Sequence, residues 1–342
     1  MPRSLVARAA AALLVVFLVV GCSPQPGSGS PAASALGSPA RTQLTVGLGY
    51  IPSVQFAPFY LADQQGYYRA AGLDVTFQNK IDPDLVTLVG QGAIDIGVAD
   101  GTSVIPARSQ GIPVRYLATI YGTYPSIVFA KTTSDISAAG ELKGKKIGIP
   151  GRYGSSWIML QALLGSAQLT VNDVTIIEYP DFGQGAAVQQ GAVDAATGFA
   201  NNEPVQLKVA GVDTVVLHVD GIVALPGPGL ISSDATLGAK HDAVAAFVGA
   251  TLKAMREIQA NPKVGVDAAI QAVPELASQR STQEAILDAT IATWAPPSGG
   301  PDQYGRINRA GWQASIDYLG RLGLVPNSVT VDDLVREVGL PS

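Results

Sequence analysis

Three groups of side chains carry the chemistry of this sequence. The first is Tyr50, Gln55, Phe56, Phe59 and Tyr60, within GYIPSVQFAPFY at 49–60. Aromatic faces at this density suit a flat conjugated ligand, which aromatic rings hold by offset stacking or edge contacts. Phe59 and Tyr60 also fit the buried side of a helix, whereas Tyr50 falls in a turn. The second group pairs Asp100-Gly101-Thr102 with Tyr121 and Tyr124. Asp100 either caps the helix that follows it or accepts hydrogen bonds from ligand hydroxyls, and of the two tyrosines one can stack while the other packs. The third is the run Gly151-Arg152-Tyr153-Gly154-Ser155-Ser156-Trp157, with Asn201, Asn202 and Glu203 further on. A glycine-rich turn opening a helix presents free N–H groups to ligand oxygens. The Asn and Glu side chains supply donors and acceptors for the polar edge of a ring, although Asn202 serves equally as a helix cap.

Other chemistries lack their residues. Neither Gly151–Trp157 nor GELKGKK (140–146) has the spacing of a Walker loop or of G-x-G-x-x-G. His218 and His241 have no serine motif or carboxylate pair beside them, and no metal-ligand spacing occurs. The sole cysteine, Cys22, excludes an intrachain disulfide and a Cys-ligated zinc site.

The elements that must position these groups follow an α/β grammar. Short β-branched runs at 42–50, 74–79, 93–100 and 114–122 alternate with helical runs at 57–72, 82–92 and 102–111. A second unit repeats the pattern, with strands at 144–151, 173–180, 194–200 and 213–221 and helices between them. Extended segments near 126–131 and 221–232 join the two units, and the remainder is helical. Such alternation predicts mainly parallel sheets covered on both faces, with ligands at the carboxyl ends of the strands. The aromatic and polar groups fall at those ends.

The amino terminus is of another kind. Arg3 and Arg8 precede a 12-residue apolar run, Ala9 to Val20, of secretory-signal length and too short to span a bilayer. Cys22 directly behind Gly21 resembles the lipobox of bacterial lipoproteins, which implies a signal peptide at 1–21 and diacylglyceryl attachment to the Cys22 thiol. Residues 22–42, rich in Ser, Pro, Gly and Ala, then read as a flexible tether with a reach of roughly 25 Å. Loss of the leader takes the net charge from −5 to −7, with no basic stretch left for nucleic acid.

Four segments resemble one family in order and spacing. They are GYIPSVQFAPFYLADQQGYYRAAGLDV (49–75), GQGAIDIGVADGT (90–102), LKGKKIGIPGRYGSS (142–156) and QQGAVDAATGFANNEP (189–204), followed by Trp294 and Trp312. The family is that of the periplasmic substrate-binding proteins related to thiamine-pyrimidine synthase, which includes sulfonate and nitrate binders. The resemblance implies a type II periplasmic-binding-protein clamp, with lobe 1 at 43–126, lobe 2 at 127–228 and a return to lobe 1 with C-terminal helices at 229–342. It also implies ligand delivery to a membrane permease driven by an ATPase, by a monomer that is not an enzyme and holds no cofactor. The YIPSVQFAPFY wording is most similar to the riboflavin-binding (RibY-type) subgroup, which makes riboflavin the expected cargo and the ribityl hydroxyls the expected partners of Asp100. The thiamine-pyrimidine members have a histidine where Phe56 stands, and the synthases carry a cysteine cluster missing here. A thiamine-precursor pyrimidine is the alternative cargo. Arg152 is the one candidate anchor for an alkanesulfonate or nitrate.

Overall fold

The computed structural model describes residues 41–81, 84–296 and 299–340. Cys22 and the leader lie outside the described residues, as does the tether up to residue 40; Thr42 already opens the first strand. β1 (Thr42–Leu48), β2 (Leu73–Asn79), β3 (Ile96–Asp100) and β4 (Val114–Thr119) alternate with α1 (Ala57–Gln64), α2 (Tyr67–Ala70), α3 (Asp84–Gly90) and α4 (Gly101–Ser109). The second unit comprises β5 (Ser126–Lys131), β6 (Lys146–Ile149), β7 (Thr175–Glu178), β8 (Ala195–Phe199) and β9 (Thr214–His218), with α5 (Gly154–Ser166), α6 (Gln184–Gln190) and α7 (Glu203–Val209). Then follow β10 (Pro228–Ser233), α8 (Asp234–Ala260), α9 (Pro262–Ala272), α10 (Arg280–Trp294), α11 (Arg309–Arg321) and α12 (Val331–Leu334).

Two five-stranded sheets result, ordered β2-β1-β3-β10-β4 and β7-β6-β8-β5-β9. In the first, β1 pairs in parallel with β2 and β3, while β10 is antiparallel to β3 and β4. The second repeats this arrangement, with β5 antiparallel to β8 and β9. Each sheet is therefore mixed, four strands running one way and one against them. The segments expected as mere connectors, 126–131 and 221–232, are the source of that difference. The chain leaves each sheet at the carboxyl end of an outer strand and enters the other sheet at its corresponding end, so the incoming strand must run backwards.

Local chemistry sets the element boundaries. The helix expected over 57–72 is two helices, because Gly66 adopts φ of 70°, a left-handed conformation that breaks the α1 path. The kink at Lys240 in α8 coincides with its ammonium reaching the Asp95 carboxylate at 2.8 Å and the Gln43 carbonyl at 3.0 Å. At the start of α8, Ser233 accepts from the Thr236 N–H, and Asp234 takes 2.6 Å hydrogen bonds from both Arg108 and Arg115. Burial pushes the Asp234 carboxyl up, but those two guanidinium bonds outweigh it and hold the group below the usual carboxylate range.

The helices after β10 return to the first sheet, where α8 and α9 cover α1. Phe247 of α8 is fully buried, stacked at 4.8 Å and 8° on Tyr68 and at 6.2 Å and 21° on Phe59. Helix α10 touches α7 of the other lobe. Among the described residues no helix is long and apolar enough to cross a membrane.

The aromatic stack gives the first test. Phe247→Ala removes the ring between Tyr68 and Phe59 and should cost about 3–5 kcal/mol. Chemical denaturation should show this as a lowered midpoint, and an unchanged midpoint would mean the stack adds no stability.

Candidate ligand cleft between the lobes

Strands β1 to β4 and β6 to β8 deliver their carboxyl ends to one cleft that opens to solvent. From the first lobe come Tyr50 after β1, Ile81 after β2, Val98 to Asp100 at the end of β3, and Tyr121 after β4. The second lobe contributes Tyr153 to Ser156 after β6, Phe182 and Gln184 after β7, and Phe199, Asn202 and Glu203 after β8. The rule placing ligands at strand carboxyl ends thus applies to both sheets at once.

Seven aromatic rings line this space: Tyr50, Phe56, Phe59, Tyr121, Tyr153, Phe182 and Phe199. Gln55, Phe56, Phe59 and Tyr121 are buried, whereas Tyr50, Tyr153, Phe182 and Phe199 are half-buried, so the cleft runs from a closed inner end to an aromatic mouth. Tyr50 and Phe182 meet across it, edge to face, with ring centroids 4.8 Å apart. Among the described lining residues there is no Lys, Arg or His.

The polar groups concentrate at two points. Asn201, 1% exposed, donates to Gln55 Oε1 at 3.0 Å and to Thr290 Oγ1 at 2.8 Å, linking the turn after β8 to the first lobe. Tyr121 donates to the same Gln55 oxygen at 3.3 Å. The second point is Glu203, whose carboxylate accepts from the Phe199 N–H at 2.8 Å and from Gln184 Nε2 at 3.3 Å. Gly198 makes room for it, because a Cβ there would lie 2.6 Å from Glu203 Oε2. Burial pushes the Glu203 carboxyl up to about 7, against the hydrogen bonds that favour its charged form. Burial likewise raises Tyr50, with the nearby Glu203 charge adding to the effect, so its phenol stays protonated.

A family profile described as NMT1/THI5 like matches residues 53–264, which include most of both walls of this cleft. The chain belongs to the NMT1/THI5-like family. A relative of similar length, the riboflavin-binding protein RibY of Chloroflexus aurantiacus, is 32% identical over 339 residues, 96% of each chain. The formylaminopyrimidine-binding protein of Halalkalibacterium halodurans is 25% identical over 297 residues, 85% of this chain and 88% of that protein. Among solved structures, the alkanesulfonate-binding protein SsuA from Xanthomonas axonopodis pv. citri, bound to MOPS, superposes with a TM-score of 0.69 at 20% identity, covering 88% of this chain and 100% of that one. That likeness shows the fold, a two-lobed clamp of the periplasmic-binding-protein type.

Within this NMT1/THI5-like clamp, the residues singled out from sequence divide clearly. Tyr50, Gln55, Phe56, Asp100, Tyr121, Tyr153, Ser155, Asn202 and Glu203 line the cleft, and Asn201 braces Gln55 from behind. Tyr60 does not line it; its ring packs in the core at 6.3 Å from Phe77. Thr102 is fully buried in α4 and is not a lining residue either. Tyr124 donates to the Ser155 carbonyl at 3.2 Å and faces a different cavity, behind the crossover segments. Arg152 turns outward, paired with Glu178 at 3.0 Å and lying 5.3 Å from the Trp157 ring, so neither of these two reaches the cleft. Phe59 both lines the cleft and packs on Phe247. Sequence reading missed Phe182, Gln184 and Phe199. The strand-end rule, applied to β7 as it was to β1 and β6, points to the first two.

Glu203 generates a pH prediction. Below the ordinary carboxylate range both folded and unfolded chains hold the Glu203 proton, and this group's contribution to stability is at its maximum. As pH rises from about 4.5 to about 7 the unfolded chain ionises first, and stability falls by something on the order of 3 kcal/mol. Thermal unfolding followed from pH 4.5 to 8 should therefore show a shallower decline for Glu203→Gln than for the wild type. Parallel profiles would show that Glu203 titrates normally in the fold.

Proposed function

We propose that the chain is the extracytoplasmic binding component of a riboflavin importer, closing its two lobes around the ligand and delivering it to a membrane permease coupled to an ATPase. The observation that carries this reading is the interlobe cleft with its seven aromatic rings and no cationic side chain among the described lining residues. The isoalloxazine of riboflavin is a wide flat π-system, and aromatic faces are the efficient means of holding one. Each good face contributes about 1–3 kcal/mol, by analogy with base stacking. Two faces and several hydrogen bonds are adequate for micromolar to nanomolar affinity, about −8 to −12 kcal/mol. Glu203, with its carboxyl balanced near neutrality, offers either a donor or an acceptor to the imide edge of the ring. Asp100 and Ser155 face the same space and suit the ribityl hydroxyls. The similarity to a riboflavin-binding protein along 96% of the chain supports the same cargo.

The mechanism is capture by closure. Contacts from both lobes are made together only in the closed state, and this difference in affinity is what lets a ligand shift the equilibrium. Attachment of Cys22 to lipid, followed by the 22–42 tether, would keep a monomeric clamp beside its permease. Nothing in this mechanism makes or breaks a bond in the cargo. A second reading, a thiamine-precursor pyrimidine as cargo, draws on Asn202 and Glu203 at the cleft and on the similarity to a formylaminopyrimidine-binding protein. An alkanesulfonate or nitrate is disfavoured because Arg152 is turned onto Glu178.

Titration of riboflavin with the protein, followed by flavin fluorescence, tests the cargo. Saturable quenching is expected, and Tyr50→Ala should weaken it by about 5- to 150-fold, the equivalent of one stacking face. Flavin emission that stays unchanged at micromolar protein rejects riboflavin, and a pyrimidine titration by calorimetry then decides the second reading. In a bacterial host fed labelled palmitate, the wild type should take up label in the membrane fraction and Cys22→Ser should not. Equal labelling of both would place any lipid elsewhere.

A further inference from the structure

Phe182 is a residue of unusual geometry. It is one of two non-glycine residues among those described with a left-handed backbone, at φ of 61°, in the turn between β7 and α6. Its N–H donates to the Tyr179 carbonyl at 2.9 Å, and the next residue's N–H donates to Asp181 Oδ1 at 3.1 Å, so the turn is pinned on both sides. An L-residue adopts that conformation against a steric cost, and here the result is a phenyl ring directed onto Tyr50 of the opposite lobe, edge to face at 4.8 Å. Both rings are half-buried at the cleft mouth. Two rings in edge contact leave no slot for a third ring between them.

We infer that Phe182 and Tyr50 form an aromatic gate at the cleft mouth: their mutual contact must part before a flat conjugated ring can reach the Tyr50 face. The inference rests on the reading of the cleft as a site for such a ring. It makes Phe182 a residue that governs both how fast a ring is admitted and how long it is held. The pinned turn returns the phenyl to the same place after release.

Two measurements on the full-length chain test the gate. In ligand-free protein carrying 3-fluorotyrosine, the resonance lost in Tyr50→Phe identifies Tyr50, and Phe182→Leu should shift it. A Tyr50 resonance indifferent to Phe182→Leu overturns the gate. In stopped-flow mixing with riboflavin, Phe182→Leu should associate several-fold faster than the wild type while dissociating at least tenfold faster, with Phe182→Tyr close to the wild type in both rates. A merely structural side chain would not accelerate association, so slower or unchanged association in Phe182→Leu also overturns the gate. If the wild type fails to bind riboflavin while the Tyr50 resonance still responds to Phe182→Leu, the aromatic contact stands and the riboflavin reading falls.

Discussion

The fold depends on one constraint of chain direction. The backbone passes between the sheets twice, from β4 to β5 and from β9 to β10, and each passage starts at the strand end that faces the cleft. A strand that begins there can only run away from the cleft, which places β5 and β10 antiparallel in the interior of otherwise parallel sheets. The same constraint puts both crossovers behind the cleft and leaves β1 to β4 and β6 to β8 aiming their carboxyl ends into it. Hinge, binding surface and mixed sheet topology are thus one geometric fact.

On this scaffold the cleft is a site of low polarity with a few costly exceptions. Glu203 is the most telling of them, since burying a carboxylate is unfavourable unless it is bonded or neutralised. The protein does some of both: the Phe199 amide and the Gln184 side chain bond it, and its proton affinity rises to meet neutral pH. The cost of such a group is justified where its hydrogen-bonding role is needed. The outward pairing of Arg152 with Glu178 keeps full positive charge away from that carboxyl and from the aromatic walls.

Much of this was legible in the sequence, for physical reasons. Runs such as LTVGL, DIGVAD and KIGIP announce strands through β-branched content, and residues just beyond them lie at the cleft because strand ends do. Tyr50, Asp100, Tyr153 and Glu203 were found in this way. Three kinds of information were not legible. The direction of a side chain after a loop, as for Arg152, is decided by Glu178 on a neighbouring strand. The role of β10 is hidden by its opening Pro-Gly, which looks like a connector until β3 and β4 close around it. Phe182 reads as an ordinary loop hydrophobe, because its inward aim comes from a backbone conformation its own type disfavours.

The bonds of Asn201 sit close to the crossover, where the Ala200 N–H also meets the Pro125 carbonyl at 2.9 Å. In a rotation about a hinge, an atom moves in proportion to its distance from the axis. Side chains near the axis therefore travel little, while rings at the mouth sweep the longest arc. The Asn201 bonds to Gln55 and Thr290 tie the turn after β8 to the first lobe at the buried end of the cleft, while Tyr50 and Phe182 meet at its half-buried mouth. Amides at the inner end and aromatic rings at the mouth therefore join the two lobes at two separate points, which substitutions can alter one at a time.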